Sequence, residues 1–545
     1  IKYPVNTIYG DCGYPVLIMS GGTCHIAGMH TAGTPALGTG LSTLLTSFDM
    51  DVIFDRATPP PPELKDFSVM GVLTQSQNST DISRGVAVVN NHTMVKLECD
   101  FLEHTTKPVR PSEKSYLNEV AKFIRPRLFS ADMQHLEACA NAVFDDLYRV
   151  IGPAKRTTFL MSEAIFGTPE GGLEPLPSST SAGYPYNAWG VSKSNYFHAG
   201  KPSKGFSELR DDVVALWGGI SNGITPLRLF TDFQKMERLP IAKVDAGKCR
   251  IVSACPLDVT VLTRMLFGPF VAAIHACPIS SGTAICFNPC TQGDAILSYL
   301  DEVDHGKVGF GAGDYSGFDA SERPEIHNLI LRGINRWCND DFSIAREALW
   351  CYVTHSRHLR GTSVRAWSQS LPSGHPLTTI INCLYNQIAF RYAWFRSSGD
   401  AFASLELYRK YVRCVVLGDD NIFSVHREAH GMFNELTIAQ YVSELGLVYT
   451  NDTKQGELIG LRELSNVTFL KRSFKNVDAK VVLALDPNVI LEIALWTRKR
   501  KERDTTIANL RVVAHEASLH GKEFFDEHVP RLVRWADALG HIPLD

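Results

Sequence analysis

The sequence predicts an α+β fold, with α/β as the alternative class. Three observations carry this. From about residue 230 to 475, short runs rich in Val, Ile, Phe and Tyr alternate with stretches of helical periodicity. Inside that region, VVLGDDNIFSV (415–425) sets Gly-Asp-Asp-Asn between two apolar β-like runs, the pattern of a hairpin with carboxylates at its tip. After residue 485 the pattern turns helical, with Ile490, Ile493, Ala494 and Trp496 apolar and the basic run WTRKRKERD (496–504) around them. A chain of 545 residues with 44% hydrophobic content can bury several cores. Its length suggests roughly three or four domain-sized units.

In chain order, IKYPVNTIYGDCGYPVLIMSGG opens without Met in β-rich sequence punctuated by glycines, and reads as cut from a longer chain. Four consecutive prolines (59–62) suit a stiff linker. A second irregular stretch, TTKPVRPSEK (105–114), precedes helical patterns over Leu117–Ile124 and Met133–Val150. The most apolar stretch, Val259–Ile279, carries Arg264 and Gly268-Pro269 and reads as buried core, not a membrane span. In LPSGHPLTTIINCLYNQIAFRYAW (371–394), Ser373-Gly374 is a flexible loop and Pro376 suits the first turn of a helix. Ile381, Leu384, Tyr385, Ile388 and Tyr392 then repeat at helical spacing, with Asn382 near the start.

Charged residues are 21% and the formal net charge is −4, so a nucleic-acid site would have to be a local basic groove. The 13 cysteines form no CxxC pair, and nothing near Cys286 and Cys290 completes a zinc set. Free thiols in a soluble intracellular protein are the expectation.

A second acidic segment, GAGDYSGFDAS (311–321), follows a strand-like approach. Asp314 and Asp319 cannot share one face of a regular strand, but a strand end turning into a helix would present both to one cleft. If Asp314 met Asp419, the two carboxylates would repel, and one would be expected to protonate. Divalent cations remove that penalty, and magnesium takes oxygen ligands together with water or substrate phosphates. Two such ions about 4 Å apart suit phosphoryl transfer. The sequence leaves open whether the two segments meet.

Taken in order, TSAGYP (180–185), KMERLPIAKVDAGKCR (235–250), DYSGFD (314–319), PSG with Thr378 and Asn382, LGDD (417–420), YTNDTK (449–454) and FLKR (469–472) form a series. This series resembles the RNA-dependent RNA polymerases of picornavirus-like positive-strand RNA viruses, of dicistrovirus- or marnavirus-like type. The resemblance covers about 180–475 in its motifs and extends over 65–545. It departs at Leu417, where the family usually has Tyr, a position that is not a metal ligand.

The resemblance implies a right-hand (fingers-palm-thumb) fold with an RRM-like antiparallel palm sheet. It implies that Asp314 and Asp419, with Asp420 and the Tyr315 carbonyl, ligate two Mg2+ ions, with Mn2+ as a substitute. Asp319 and Asn382, helped by Ser373 and Gly374 and supported by Thr378, would recognise the ribose 2′-hydroxyl. Lys235, Lys243, Lys248 and Arg250 would face the incoming nucleoside triphosphate, with Glu237 a structural partner. Lys454 would be a general acid toward pyrophosphate. Thr180, Ser181 and Gly183 would line the template entrance, and Phe469, Leu470, Lys471 and Arg472 would hold the primer strand. The run 496–504 is equally compatible with gripping duplex phosphates and with a solvated helix face.

At the N-terminus, GDCG (10–13) and GMHTAG (28–33) resemble the C-terminal end of a chymotrypsin-like cysteine protease, with Cys12 matching the nucleophile and His30 a pocket residue. Without an upstream general base the expectation is a partial β-barrel with no protease activity. The implied organisation is a protease remnant (1–45), a junction (46–78), fingers (79–267), palm (268–322), a fingers insertion (323–370), palm again (371–478) and thumb (479–545). Expected partners are template and product RNA and NTPs. A protein primer, other viral replication proteins and peripheral membrane association at cytoplasmic replication sites are compatible with the resemblance. The rivals are a reverse transcriptase and a catalytically silent RNA-binding scaffold. Asp319 with Asn382 argues against the first, and Asp314, Asp419 and Lys454 together argue against the second.

Overall fold

The structure is a computed structural model. It describes residues 105–124, 127–169, 171–361, 363–367, 369–454, 457–498 and 502–538, preceded by strands at 2–3, 15–20, 23–34, 39–44, 68–72, 83–84 and 88–90. Cys12, the proline run and most of the 46–78 junction lie outside these residues. The first four strands pair antiparallel in the order Lys2–Tyr3, Thr39–Leu44, Thr23–Thr34, Pro15–Ser20, and His30 belongs to the third of them in sequence.

The sheet that carries the acids has four strands, ordered Val412–Leu417, Asp420–Val425, Gly309–Tyr315, Tyr449–Asn451. All its pairings are antiparallel. Its central strand reads GFGAGDY, with glycines at alternate positions and therefore on one face. A Cβ at Gly311 would lie 2.2 Å from the Phe423 ring, and one at Gly313 would lie 2.2 Å from the Tyr449 ring. Large aromatics on the flanking strands thus fill the space that a side chain would need, which explains two strand-weakening residues in a central strand.

The helix Thr378–Ser397 runs beneath this sheet. It starts two residues after Pro376, which sits in the preceding turn and not in the helix as its chemistry suggests. Its burial extends well beyond the predicted stripe. Ile381, Leu384, Tyr385, Ile388 and Tyr392 are buried, and so are Asn382, Asn386, Arg391 and Trp394. A helix enclosed on all sides cannot show a clean amphipathic pattern. The helix Leu257–His275 is long and apolar enough to cross a membrane, yet it is largely buried in the same core. Its Arg264 donates to the carbonyls of Ala164, at 2.7 Å, and Glu174.

A second sheet is ordered Ile251–Ala254, Phe230–Lys235, Arg357–Arg360, Ser363–Ala366, Ser68–Val72. A three-stranded sheet, Thr468–Phe469, Arg472–Val477, Lys480–Leu485, leads into the C-terminal helices Pro487–Ile493, Glu502–Ser518 and Lys522–Ala538. These pack on a small core of Ile490, Leu510, Val513, Val529 and Leu532. Trp496 departs from the predicted helix. Trp496–Arg498 is a strand that pairs with Val88–Asn90. Glu492 strengthens the same junction by accepting from both the backbone N–H (3.0 Å) and hydroxyl (2.5 Å) of Thr106 and from the Thr105 hydroxyl (2.5 Å). The C-terminal helices are thereby tied to the N-terminal part of the chain, a pairing without any local sequence signal.

Replacing Gly311 by Ala forces the fully buried Phe423 ring to move. A loss of about 1–3 kcal/mol is expected. Denaturant unfolding checks it, and an unchanged midpoint would contradict the packing described.

Candidate active site

The hairpin Val412–Leu417/Asp420–Val425 turns at Gly418-Asp419, with Gly418 at φ 65°. A left-handed φ at this point suits glycine. Gly313 pairs with Asn421 across the neighbouring strand, and the next step of that register sets Asp314 level with Asp420. The two acidic segments therefore meet, and the Asp314 and Asp419 carboxyl groups lie close enough to act on each other.

Two acids this close cannot both ionise freely. Burial, then the charge of Asp314, pushes Asp419 up to about 8. The same causes push Asp420 up to about 6, with Lys454 and Lys471 opposing. Lys454 forms an ion pair with Asp314 Oδ2, while Oδ1 accepts from the Tyr315 N–H at 2.6 Å. Among the described residues, no three Asp, Glu, His or Cys side chains form a closed metal cage. The donor set fits instead an ion of the magnesium kind, which takes one or two carboxylates and fills its shell with water and substrate oxygens. A cation here would relieve the repulsion that now keeps a proton on the pair.

The turn itself is held from below. Asn386 donates to the carbonyls of Gly418 (3.0 Å) and Asp419 (3.2 Å), and the Gly418 N–H donates to Cys383 Sγ (3.2 Å). Tyr315, one residue beyond Asp314, buries its ring and donates to Asn386 Oδ1 at 3.0 Å. Tyr449 donates to Asn421 Oδ1 at 2.8 Å. Asn386 and Asn421 were not singled out in the sequence. The available signal was position: Asn386 lies one turn after Asn382, polar in an apolar helix, and Asn421 directly follows the paired acids.

Beside the acids, Gly317 in the left-handed region starts the short helix Phe318–Ser321 that carries Asp319. Asn382 Nδ2 donates to Asp319 Oδ1 at 2.7 Å, while Asn382 Oδ1 is buried with no partner. Burial raises the Asp319 carboxyl above the usual range, opposed by the Asn382 hydrogen bond and the Arg250 charge. Below it lies a pair missed in the sequence, Glu322 and His327, in contact at 2.5 Å. Burial raises Glu322 well above the carboxylate range and lowers His327 to about 3, so a neutral acid donating to a neutral imidazole is the stable arrangement.

Ser373 and Gly374 are strapped to the strand Ile251–Ala254. Ser253 N donates to Ser373 O (2.9 Å), Ser373 Oγ donates to Ile251 O (3.3 Å), and a Cβ at Gly374 would strike Ser253 O at 2.4 Å. Ser373 therefore bonds to the backbone of that strand. The Thr378 hydroxyl lies within hydrogen-bond distance of the carbonyls of Pro372 (3.1 Å) and His375 (2.9 Å), closing the loop before the helix. On the far end of the same strand, a Cβ at Gly183 would meet Cys255 O at 2.5 Å. Ser181 Oγ accepts from Gly183 N (3.2 Å), and Thr180 accepts from the buried Lys193 (2.7 Å). This loop approaches the strand end.

The basic residues converge. Burial, then the charges of Lys454, Lys248 and Lys471, lowers Lys243, with Asp314 opposing. Arg250 is clamped by Glu237, at 2.7 Å through Nε and through a second, shorter contact, and Asp419 adds to its attraction. Lys235 lies 3.9 Å from the same Glu237. The FLKR run does not present one surface. Phe469 is core, and Arg472 forms a bidentate pair with Glu516 (2.6 and 2.8 Å). Leu470 and Lys471 form the turn between strands, both at positive φ, and the Lys471 charge acts on Asp420.

The family model for viral RNA-dependent RNA polymerase matches residues 101–537. The chain is 30% identical over 393 residues to the replicase polyprotein of Drosophila C virus (strain EB), covering 67% of the chain and 22% of that polyprotein. It is 31% identical over 345 residues to the replicase polyprotein of Cricket paralysis virus, covering 59% of the chain and 19% of that polyprotein. The chain thus spans about a fifth of the curated relatives it matches. Among solved structures, the Sicinivirus 3Dpol RNA dependent RNA polymerase superposes with a TM-score of 0.66 at 19% identity, covering 88% of this chain and 96% of that one. The fold is therefore the right-hand polymerase fold.

Asp419 keeps its proton to about 8 when folded but releases it near 3.8 when unfolded, so its contribution to stability is lost as pH rises between those values. Without divalent ions, the melting temperature is expected to fall from pH 5 to pH 8, and Asp419→Asn should flatten that fall. Parallel pH curves for the two proteins in chelator would contradict the shared-proton pair.

Proposed function

The chain belongs to the viral RNA-dependent RNA polymerase family, and from that premise we propose that it extends an RNA 3′ end by template-directed transfer of nucleoside monophosphates from NTPs. The observation that carries the reading is the meeting of Asp314 with Asp419 and Asp420, faced by Lys243, Lys454 and Lys471. Polymerases of this family use divalent metal ions, and we assign magnesium to this site. Asp314 and Asp419 would hold it, with Asp420 and the Tyr315 carbonyl as further oxygen donors. Bound there, it would supply Lewis-acid stabilisation of the attacking and leaving oxygens.

The chain's own residues supply the rest. Lys243 and Arg250 stabilise charge on the triphosphate, and Arg250 reaches it by exchanging its Glu237 contact. The open Asn382 Oδ1 beside the Asp319 carboxyl offers acceptors that a ribose 2′-hydroxyl can satisfy and a deoxyribose cannot. Lys454 is the donor that protonates the leaving pyrophosphate. Lys235 and Lys248, exposed on the same side, extend the cationic approach for nucleotides and RNA. Thr180, Ser181 and Gly183, where bare backbone comes close to the strand end, line the path of the template.

Primer extension with magnesium tests the chemistry. Asp419→Ala is expected to reduce extension by about a thousandfold or more, and extension equal to the parent would remove the proposal. Asn382→Ala should narrow the preference for ribonucleotides over deoxyribonucleotides by about tenfold or more. Competition between ATP and dATP on one template measures it, and an unchanged ratio would refute the ribose assignment.

A further inference from the structure

Lys454 lies on an exposed loop in a left-handed backbone conformation, φ 56°, yet it reaches a buried carboxylate. Something must hold that loop. Its backbone N–H donates to Asn451 O at 3.0 Å, closing a turn with Asp452 at the second position. The Asp452 side chain points inward and is only 6% exposed. One oxygen accepts from Arg462 at 3.0 Å. The other accepts from both the N–H (2.6 Å) and the hydroxyl (2.7 Å) of Thr468.

Arg462 is itself a cross-brace. It donates to Ala312 O (3.0 Å) on the strand of Asp314, to Glu435 (2.6 Å) and to Asn466 O (2.8 Å). Its backbone exchanges two hydrogen bonds with Phe310, of 2.7 and 2.9 Å, on that same strand. Glu435 in turn accepts from Ala312 N at 3.1 Å. Thr468 starts the strand that ends at the Leu470-Lys471 turn. Asp452 is therefore the point where the Lys454 loop, the strand of Asp314 and the hairpin of Lys471 are joined.

We propose that Asp452, acting through its ion pair with Arg462, is a positioning residue for Lys454, and that it sets the placement of the proton donor relative to Asp314. The proposal rests on the assignment of Lys454 as proton donor. A pair this enclosed resists sliding, because Asp452 leaving its partners would strand the Thr468 N–H and hydroxyl and take one of two carboxylates from Arg462. A displacement of about 1 Å at a reacting group is enough to cost up to a hundredfold in rate.

Single-turnover incorporation of one nucleotide, with rate and nucleotide affinity measured separately, tests this. Asp452→Asn is nearly isosteric and should slow incorporation about tenfold with little change in nucleotide affinity. The same substitution should have no further effect in a Lys454→Arg background. Thr468→Val, which removes only one donor to Asp452, is the milder companion and should show a smaller effect with the same non-additivity. Slowing that multiplies independently in the double variants would mean that Asp452 supports the fold and not Lys454, and would overturn the proposal. Unchanged rates in both single variants would do the same. If Lys454→Arg alone leaves the rate unchanged, the proton-donor assignment falls and this proposal falls with it. A slow Lys454→Arg with independent effects removes only the positioning role.

Discussion

The structure depends on forcing like charges together. A three-strand antiparallel register sets Asp314 against the Gly418-Asp419 turn, and the charge is held down by a retained proton on Asp419 and by the Lys454 ion pair to Asp314. That cost explains the surroundings. The turn is fastened from behind by Asn386 and Cys383, so relaxation by opening the hairpin would leave buried polar groups without partners. Lys454 in contact with Asp314, and Lys471 and Lys243 nearby, supply the compensating field. A divalent ion bound there would relieve the same repulsion.

One strand coordinates the remaining parts. Ile251–Ala254 begins after Arg250, carries the Ser373-Gly374 loop on its edge and ends where Gly183 packs on Cys255. Arg250, the Ser373-Gly374 loop and the Gly183 turn thus share one strand, and the two glycine approaches allow no side chain between them. The long buried helix Thr378–Ser397 plays the matching role below, with Asn382 on Asp319 and Asn386 on the acidic turn one helical turn later.

Much of the site was legible in the sequence because its chemistry is local. Gly-Asp-Asp-Asn between β-branched runs favours a turn, and DYSGFD after a strand-like run suits a strand end turning into a helix. Ordered motifs then gave the resemblance its force. Less legible were residues whose work is done at long range. Arg472 looks like a strand-gripping cation but is paired with Glu516, and Trp496 looks helical but completes a strand with residues near 89. Asp452 and Arg462 look like ordinary surface charges until the fold buries them.

The amino-acid sequence by itself determined which groups were available: the acids, the cations, the hydroxyl acceptors and the turns that present them. Only the tertiary structure decided which of them meet. Register between strands a hundred positions apart is set by packing of whole faces, here Phe423 and Tyr449 on bare glycines, and no local pattern encodes a distance across a sheet.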